Sequence, residues 1–274
     1  MSLGESKSGA PQISVIMGVY KPKRKMLMRS VRSLVDQTFQ DWELIICDDG
    51  SGDVETKLLL EDIEVLDDRV SVIGYEVNKG LAAALNECLA YARGVYIARH
   101  DDDDYSLPDR LQKQVDYLDA NPTCSFVGST AFVFDELGQW GQYNVVEDPS
   151  PGSFLWNSPF IHPSVMFRKE ELKLDGGYRV APETERVEDY DLFMSLYATG
   201  RRGHNIQDNL YAYRIDRQSK RYRPIATRIN EAKVRSRGFK KLGLGIKSIP
   251  YIIKPVIIGL IPGFAMRVVR KSRY

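Results

Sequence analysis

An apolar run followed by a helical pattern occurs four times in succession in the first 122 residues of the sequence. The apolar runs are typical of short buried strands and lie at residues 13–20, 42–47, 70–75 and 95–98. The third helical pattern is the clearest, with apolar residues at positions 81, 84, 85, 88, 89 and 92, the spacing of one helix face. Four βα units in succession predict an α/β fold with a mostly parallel sheet and helices on both of its faces.

Aspartates follow two of these predicted strands. Asp48 and Asp49 end the second strand, and Asp101–Asp104 follow the fourth. Because a parallel sheet binds its ligand outside the carboxyl ends of its strands, we expect the two acidic groups to meet in one crevice. Carboxylates that lie close together repel and raise one another's pKa, so a cation or a donor group is expected between them. Oxygen ligands of this kind suit Mg²⁺ or Mn²⁺.

Other kinds of site are less consistent with the sequence. A solvated acidic loop, with one aspartate capping the following helix, is the open alternative for residues 101–104. A calcium loop is disfavoured because the Asp-x-Asp-x-Asp-Gly spacing with a glutamate at position twelve is absent. A dinucleotide enzyme or an ATPase is disfavoured because residues 20–23 read YKPK, where a glycine-rich phosphate loop would be needed.

Charge is distributed unevenly along the chain. Residues 214–274 hold 17 lysines and arginines against Asp216 and Glu231, a net charge of +15, so the preceding part carries −14. The same segment contains an apolar run at 249–269, and a basic, apolar segment suits the surface of an anionic membrane. Spanning is not expected, because Lys254 and three prolines interrupt the run. Packing against the rest of the chain or a second subunit is the alternative, which leaves a homodimer open.

The N-terminal residues and the cysteines bear on location. Residues 1–11 are small and polar, which predicts a flexible tail rather than a secretory signal. The three cysteines, at positions 47, 88 and 124, lack metal-ligand spacing and are expected to be reduced thiols. Together with the basic tail, these features predict a cytoplasmic protein at the inner face of the cytoplasmic membrane.

Several short motifs occur in order between residues 12 and 214. They are ISVIMGVY (13–20), SVRSLVDQTF (30–39), WELIICDDGS (42–51), NKGL (78–81), YIARHDDDD (96–104), PDRL (108–111), HPSVM (162–166), GGYR (176–179) and EDYDL (188–192). In this order the motifs resemble those of inverting family 2 glycosyltransferases of the kind that builds bacterial surface polysaccharides. The resemblance implies a GT-A fold with a Rossmann-like sheet, an acceptor region and a helical basic tail.

The resemblance also implies how a donor is held. Val19 and Tyr20 would flank the nucleotide base, Asp49 would accept a hydrogen bond from a uracil ring N–H, and Gly80 would lie at the same site. These positions imply a UDP-sugar as the donor.

The same resemblance assigns the acidic run. Asp101 and Asp103 match the two acids of the family's Asp-x-Asp motif, with Asp102 beside them at the donor site. Asp103 would ligate Mn²⁺ or Mg²⁺ on the diphosphate, and Asp101 would reach the ribose hydroxyls or the metal's hydration shell. A departing nucleoside diphosphate develops negative charge, which such a metal stabilises.

The acceptor side carries a predicted base. Asp189 matches the family's general base, which takes the proton of the attacking hydroxyl, and Glu188 is its rival. Stabilisation of a helix N-terminus is the open alternative for both acids. His162 would either shape the acceptor pocket or be a satisfied core histidine. Similar chains frequently carry histidine where this chain has Asp216, so Arg214 would neutralise the diphosphate in place of that histidine.

Four regions are therefore expected: a flexible tail (1–11), a nucleotide-sugar-binding subdomain (12–122), an acceptor-binding subdomain (123–213) and a basic amphipathic extension (214–274). The expected activity is metal-dependent, inverting transfer of a hexose or N-acetylhexosamine to a hydroxyl of a lipid-linked or growing saccharide. An inactive family member that serves as an assembly module is the alternative. A sugar nucleotidyltransferase is disfavoured, since it needs a glycine-rich basic loop after the first strand. Nucleic acid is not an expected partner.

Overall fold

Four parallel strands and the helices between them form the first part of the fold. The structure, a computed structural model, describes residues 9–217 and 224–260; the rest of the predicted tail at 1–8 and the end of the basic extension at 261–274 lie outside the described residues. The elements are β1 (Ile13–Val19), α1 (Arg24–Val35), β2 (Trp42–Asp49), α2 (Val54–Glu64), β3 (Val70–Tyr75), α3 (Leu81–Tyr91) and β4 (Tyr96–Arg99). The strand order is β3-β2-β1-β4, parallel throughout, which confirms the predicted βα units.

The second part of the chain extends the same sheet. Its elements are β5 (Tyr105–Ser106), α4 (Arg110–Ala120), β6 (Phe126–Asp135), β7 (Gly138–Tyr143), β8 (Met166–Arg168), α5 (Lys169–Leu174), α6 (Glu188–Ala198), β9 (Gly203–Arg214), α7 (Ile225–Lys241) and α8 (Ile249–Leu260). Nine strands of the described chain share one sheet, which continues β4-β8-β6-β9-β5 with β7 beside β6. Strand β8 is antiparallel to both β4 and β6, so the sheet is mixed beyond its parallel half.

Helices cover both faces of the sheet, as the sequence predicts. Successive side chains of a strand point to opposite faces. Val15 and Met17 accordingly pack in one buried cluster with residues of α1, α2 and α4, while Ile16 packs in another with residues of α3, α6 and α7. The sheet is therefore the middle layer of three, and its strand ends remain open at the edge where the acidic residues lie.

The C-terminal helices pack on the protein. Gly238 in α7 lies directly against Met194 of α6, and a Cβ atom at Gly259 in α8 would come within 3.0 Å of Ile225 in α7. The Tyr251 ring lies edge-on to that of Trp156, with centroids 6.0 Å apart. The packing alternative for the basic extension is thus correct for residues 225–260. Within the described ranges, every helix is too short or too polar to cross a membrane.

Candidate active site

The loop after β4 is held at the carboxyl edge of the sheet from two sides. On one side, the Ser30 hydroxyl of α1 donates a hydrogen bond to the Asp101 carbonyl oxygen at 2.8 Å. On the other side, the Asp101 amide donates to the Tyr211 hydroxyl at 3.2 Å, and the Arg214 amide donates to Asp104 Oδ1 at 2.7 Å. The acidic run is therefore a fixed loop between α1 and β9, which disfavours the solvated-loop alternative.

A buried cation lies beneath this loop. The Arg99 side chain is 1% exposed and donates to the Asp101 carboxylate and to the His100 carbonyl oxygen. Burial lowers the pKa of Arg99, but the Asp101 carboxylate and neighbouring groups more than offset this, so the guanidinium stays charged. The sequence reasoning missed Arg99, although a cation two residues before a run of four aspartates was a readable signal.

The carboxylates of the acidic run lie close enough to shift one another's pKa values. Burial, reinforced by the charges of Asp103 and Asp101, raises the pKa of Asp102 to about 7. The same causes raise the pKa of the buried Asp104, which the predicted site did not include, well above its usual value. The Asp103 carboxylate lies 3.9 Å from Nη1 of Arg214. A cluster of carboxylate oxygens fits a divalent cation, and Mg²⁺-type ions use one or two carboxylates plus substrate phosphates.

Residues at the ends of β1 and β2 form the predicted nucleotide side. Val19 is buried at the end of β1, while the next residue, Tyr20, is 50% exposed and accessible to a ligand. Both oxygens of the buried Asp49 carboxylate accept backbone bonds, from the Lys79 amide at 2.7 Å and the Gly80 amide at 2.8 Å. A carboxylate has about four lone-pair positions, so Asp49 retains capacity for a further donor.

Asp48 has a local role. Its Oδ1 atom accepts hydrogen bonds from the Ser51 amide at 3.1 Å and the Ser51 hydroxyl at 2.6 Å. Asp48 and Asp49 thus accept hydrogen bonds from nearby loops. A cation is therefore expected at the 101–104 run itself, rather than between this run and Asp48 and Asp49.

Asp189 lines a cavity of about 190 Å³ at the start of α6. The wall also contains Tyr143, Asn157, Ser158, Phe160, Ile161, His162, Pro163, Arg186, Val187, Tyr190, Tyr213, Glu231 and Arg235. His162 is buried, and its Nε2 atom lies 2.7 Å from the Tyr178 hydroxyl. Because burial lowers the pKa of His162 well below its usual value, the ring is neutral. His162 therefore has a polar partner in the core and also lines this cavity, and its role in an acceptor pocket stays a prediction.

Glu188 precedes Asp189 but faces a different environment. Burial, with a contribution from the Asp189 carboxylate, raises the pKa of Glu188 to about 7, and the charge of Arg99 opposes the shift. Arg99 therefore acts on both acidic groups, Asp101 at the donor loop and Glu188 at the start of α6. Neither acid caps the helix, since Val187 is the N-cap residue and makes no side-chain capping bond. The position in the first turn still favours a negative charge.

The basic extension contributes to the same cavity. Glu231 and Arg235 of α7 both lie in its wall. The buried Arg235 guanidinium donates to the carbonyl oxygens of Leu155 at 3.1 Å and Trp156 at 3.2 Å, which fixes the segment that leads into the cavity. The sequence favoured the membrane surface for this extension, with packing as the alternative, and did not indicate these two residues.

Sequence comparison identifies the family. The family model described as glycosyl transferase family 2 matches residues 14–177, more than half of the chain. The chain is a family 2 glycosyltransferase. This transferase is 37% identical to EpsE of Bacillus subtilis (strain 168) over 97% of its own length and 95% of that protein. The predicted family is therefore confirmed.

Solved structures confirm the GT-A fold of the transferase. S. aureus TarS 1-349, in complex with UDP-GlcNAc, superposes with a TM-score of 0.66 at 19% identity, over 82% of the transferase and 66% of that chain. The mannosyltransferase PcManGT from Pyrobaculum calidifontis, in complex with GDP-Man and Mn²⁺, superposes with a TM-score of 0.62 at 18% identity, over 97% of the transferase and 81% of that chain. At such identities the likeness concerns the fold.

Proposed function

We propose that the transferase moves a hexose or N-acetylhexosamine from a UDP-sugar to an acceptor hydroxyl with inversion at the anomeric carbon. The observation that carries the proposal is that Asp189 lines a cavity while the charged 101–104 loop lies at the sheet edge. The Arg99 charge acts on Asp101 in that loop and on Glu188, the neighbour of Asp189. We assign donor binding to residues 12–122 and acceptor binding to residues 123–213.

The proposed donor site uses the residues at the strand ends. Tyr20 and the backbone at Val19 flank the base, and Asp49, fixed by the amides of Lys79 and Gly80, accepts the uracil N–H. A carboxylate held in this way distinguishes a ring N–H donor from an acceptor without moving. The UDP-GlcNAc complex of TarS, a protein of the same fold, supports a UDP-sugar.

Asp101 and Asp103 are the proposed holders of Mn²⁺ or Mg²⁺. The metal supplies positive charge to the diphosphate as it departs. The oxygen-only donor set and the raised pKa of Asp102 both fit this assignment, as does Mn²⁺ in the PcManGT complex. Arg99 orients Asp101 from below, and Arg214 adds a further cation near Asp103.

Asp189 is the proposed base. It accepts the proton of the acceptor hydroxyl as that oxygen bonds to the anomeric carbon and the bond from this carbon to the diphosphate oxygen breaks. A single displacement of this kind inverts the carbon and releases the nucleoside diphosphate. Glu188, with a pKa of about 7, remains the rival base, but it is absent from the cavity wall where an acceptor would lie.

The proposed acceptor is a lipid-linked or growing surface saccharide at the inner face of the cytoplasmic membrane. Exposed apolar side chains recur on α8 at Ile249, Ile253, Ile257 and Leu260. Their spacing places them along one side of the helix, beside lysines that suit anionic lipid. Such a surface would hold the cavity near an acceptor embedded in the bilayer.

A turnover assay tests the base directly. We expect Asp189→Asn to lower kcat for UDP release about 10²–10⁴-fold, because the variant cannot accept the proton, while the Kd for UDP stays unchanged. Asp191→Asn is the control, since Asp191 in the same helix is bound by Arg179 at 2.8 Å. Full activity of Asp189→Asn, with loss of activity in Glu188→Gln, would transfer the role to Glu188.

A further inference from the structure

Three possible metal ligands meet away from the active site. Glu147 and Asp148, in the segment after β7, lie beside His204 at the start of β9, and one ligand atom from each falls within 4.8 Å of the other two. The closest pair is Asp148 Oδ1 and His204 Nδ1, at 2.8 Å. His204 differs from the other two histidines, His100 and His162, which are buried.

Buried polar contacts tie the two segments together. Asn205, fully buried next to His204, donates from its amide to the Glu147 carbonyl oxygen at 2.8 Å and from Nδ2 to that of Val146 at 2.7 Å. Two fixed main-chain positions therefore determine where the Glu147 and His204 side chains start. The main chain that carries two of the three ligands is therefore held in place by buried hydrogen bonds.

The opposite side is fixed as well. The buried Tyr197 hydroxyl lies 3.0 Å from the Pro149 carbonyl oxygen and 3.3 Å from that of Gly203. The His204 ring stacks on Tyr117 of α4, with centroids 4.4 Å apart and planes at 12°. This stack sets the ring orientation, which is the main requirement for an imidazole ligand.

We propose that Glu147, Asp148 and His204 bind a divalent transition-metal ion of the Zn²⁺ class. One imidazole nitrogen with two carboxylate oxygens suits Zn²⁺, whereas the oxygen-only set at Asp101 and Asp103 suits Mg²⁺ or Mn²⁺. Bonds of about 2.1 Å to zinc place tetrahedral ligand atoms about 3.4 Å apart, so small side-chain rotations close the site. The Asp148 side chain is 81% exposed, which gives the ion access from solvent and room for water as a further ligand.

This site is separate from the proposed donor metal. Arg214, whose amide binds Asp104, lies ten residues beyond His204 on β9. Their partners on β6, Val127 and Phe134, are seven residues apart, which corresponds to roughly 23 Å along a strand. A bound ion would clamp the segment at 147–148 to β9 just before the chain enters the cavity wall at residues 157–163. We assign it a bracing role, which does not depend on the proposed transfer reaction.

Calorimetry and thermal unfolding with ZnCl₂ test the site in the full chain carrying Asp103→Ala, so that the donor loop contributes little. We expect one equivalent of Zn²⁺ to bind and to raise the Tm. Adding Asp148→Asn should weaken binding by about tenfold or more, since even outer-shell partners contribute roughly 10–100-fold. Asp208→Asn, an exposed acid on the same strand that pairs with Lys113, should leave Zn²⁺ affinity unchanged.

Absence of Zn²⁺ binding in the Asp103→Ala chain would overturn the proposal. Equal Zn²⁺ affinity in the chains with and without Asp148→Asn, confirmed with His204→Gln, would overturn it too. Asp148 is so exposed that its substitution leaves folding intact, and a normal Tm without metal verifies this. Failure here would leave Mn²⁺-dependent nucleotide binding untouched, so the two metal proposals fail separately.

Discussion

Glu188 is an acid that the folded protein keeps largely protonated up to neutral pH. Burial is the main cause of its raised pKa of about 7, against an ordinary value of 4.5. Below about pH 4.5 both the folded and the unfolded chain bind this proton. Between about pH 4.5 and 7 only the folded chain retains it, so raising the pH through this window removes stability, on the order of 3 kcal/mol for one such group.

Glu188→Gln should flatten this part of the pH dependence. Glutamine keeps the size of the side chain but cannot ionise, so we expect the variant to lose less unfolding free energy than the wild type between pH 5 and 7.5. Urea unfolding at several pH values measures the difference, with Glu61→Gln on the surface of α2 as the control. Parallel pH curves for wild type and Glu188→Gln would show that Glu188 titrates normally.

For individual site residues, the sequence predicted which residue types are present better than it predicted their interaction partners. The carboxylates were recognisable because they follow strands and match motifs. The link from Arg99 to Asp101, and that from His162 to Tyr178, join positions that become neighbours only after folding or depend on burial. Asp104 was predicted only as part of the acidic run, since its burial is what distinguishes it from the other three aspartates.

The start of β9 packs against an aromatic cluster around Phe126. The Phe126 ring contacts those of Phe160, Phe167 and Phe193, with centroid distances between 4.9 and 5.4 Å. A Cβ atom on Gly203 would lie 2.6 Å from Phe126 Cζ. The ring cannot retreat because its neighbours are close-packed, so β9 requires a glycine here.

Gly203→Ala should destabilise the protein by about 1–3 kcal/mol, the usual cost of overpacking a core. Gly152→Ala is the matched control, since its Cβ atom would meet only Ser150 Oγ at an ordinary 3.6 Å. Denaturant unfolding of both variants gives the comparison. A Gly203→Ala protein as stable as the Gly152→Ala protein would mean that the Phe126 cluster repacks freely.

The elements of the parallel half were predictable, whereas the short strands of the second half were not. Strands β1, β2 and β4 are short apolar runs buried on both faces, which is a strong local signal, and β3 is a partly buried edge strand. Strand β8 has three residues, and β5 has two that pair with β9 more than 100 positions away. Such pairings depend on contacts distant in sequence and leave little local pattern to read.

The surface of the protein includes a row of exposed apolar side chains on α8, the last described helix. Ile253 is 47% exposed and Ile257 is 54% exposed, although the same helix packs on α7. The basic, apolar sequence predicted membrane contact or packing as alternatives. In the structure α8 packs on the protein, and within residues 9–217 and 224–260 this row stays uncovered. Packing and membrane contact can therefore involve different faces of the same helix.

Replacing the row should release the protein from anionic vesicles. We expect Ile253→Ser with Ile257→Ser to weaken binding to phosphatidylglycerol vesicles by about tenfold or more, since each side chain contributes on the order of 1 kcal/mol of burial. The control replaces two exposed apolar residues elsewhere, Val65→Ser with Leu137→Ser. Co-sedimentation measures binding. Equal binding of both double variants would count against a role for α8.

The central claim is a metal-dependent nucleotide site at Asp101 and Asp103. Calorimetric titration of UDP, GDP and CDP, with and without Mn²⁺, into wild type and Asp103→Ala tests it most directly. The account predicts that UDP binds wild type tightly only with Mn²⁺ and that Asp103→Ala weakens this binding at least about tenfold, or 1.4 kcal/mol. Absence of metal-dependent binding of any of the three nucleotides to the wild type would contradict it and favour an inactive assembly module.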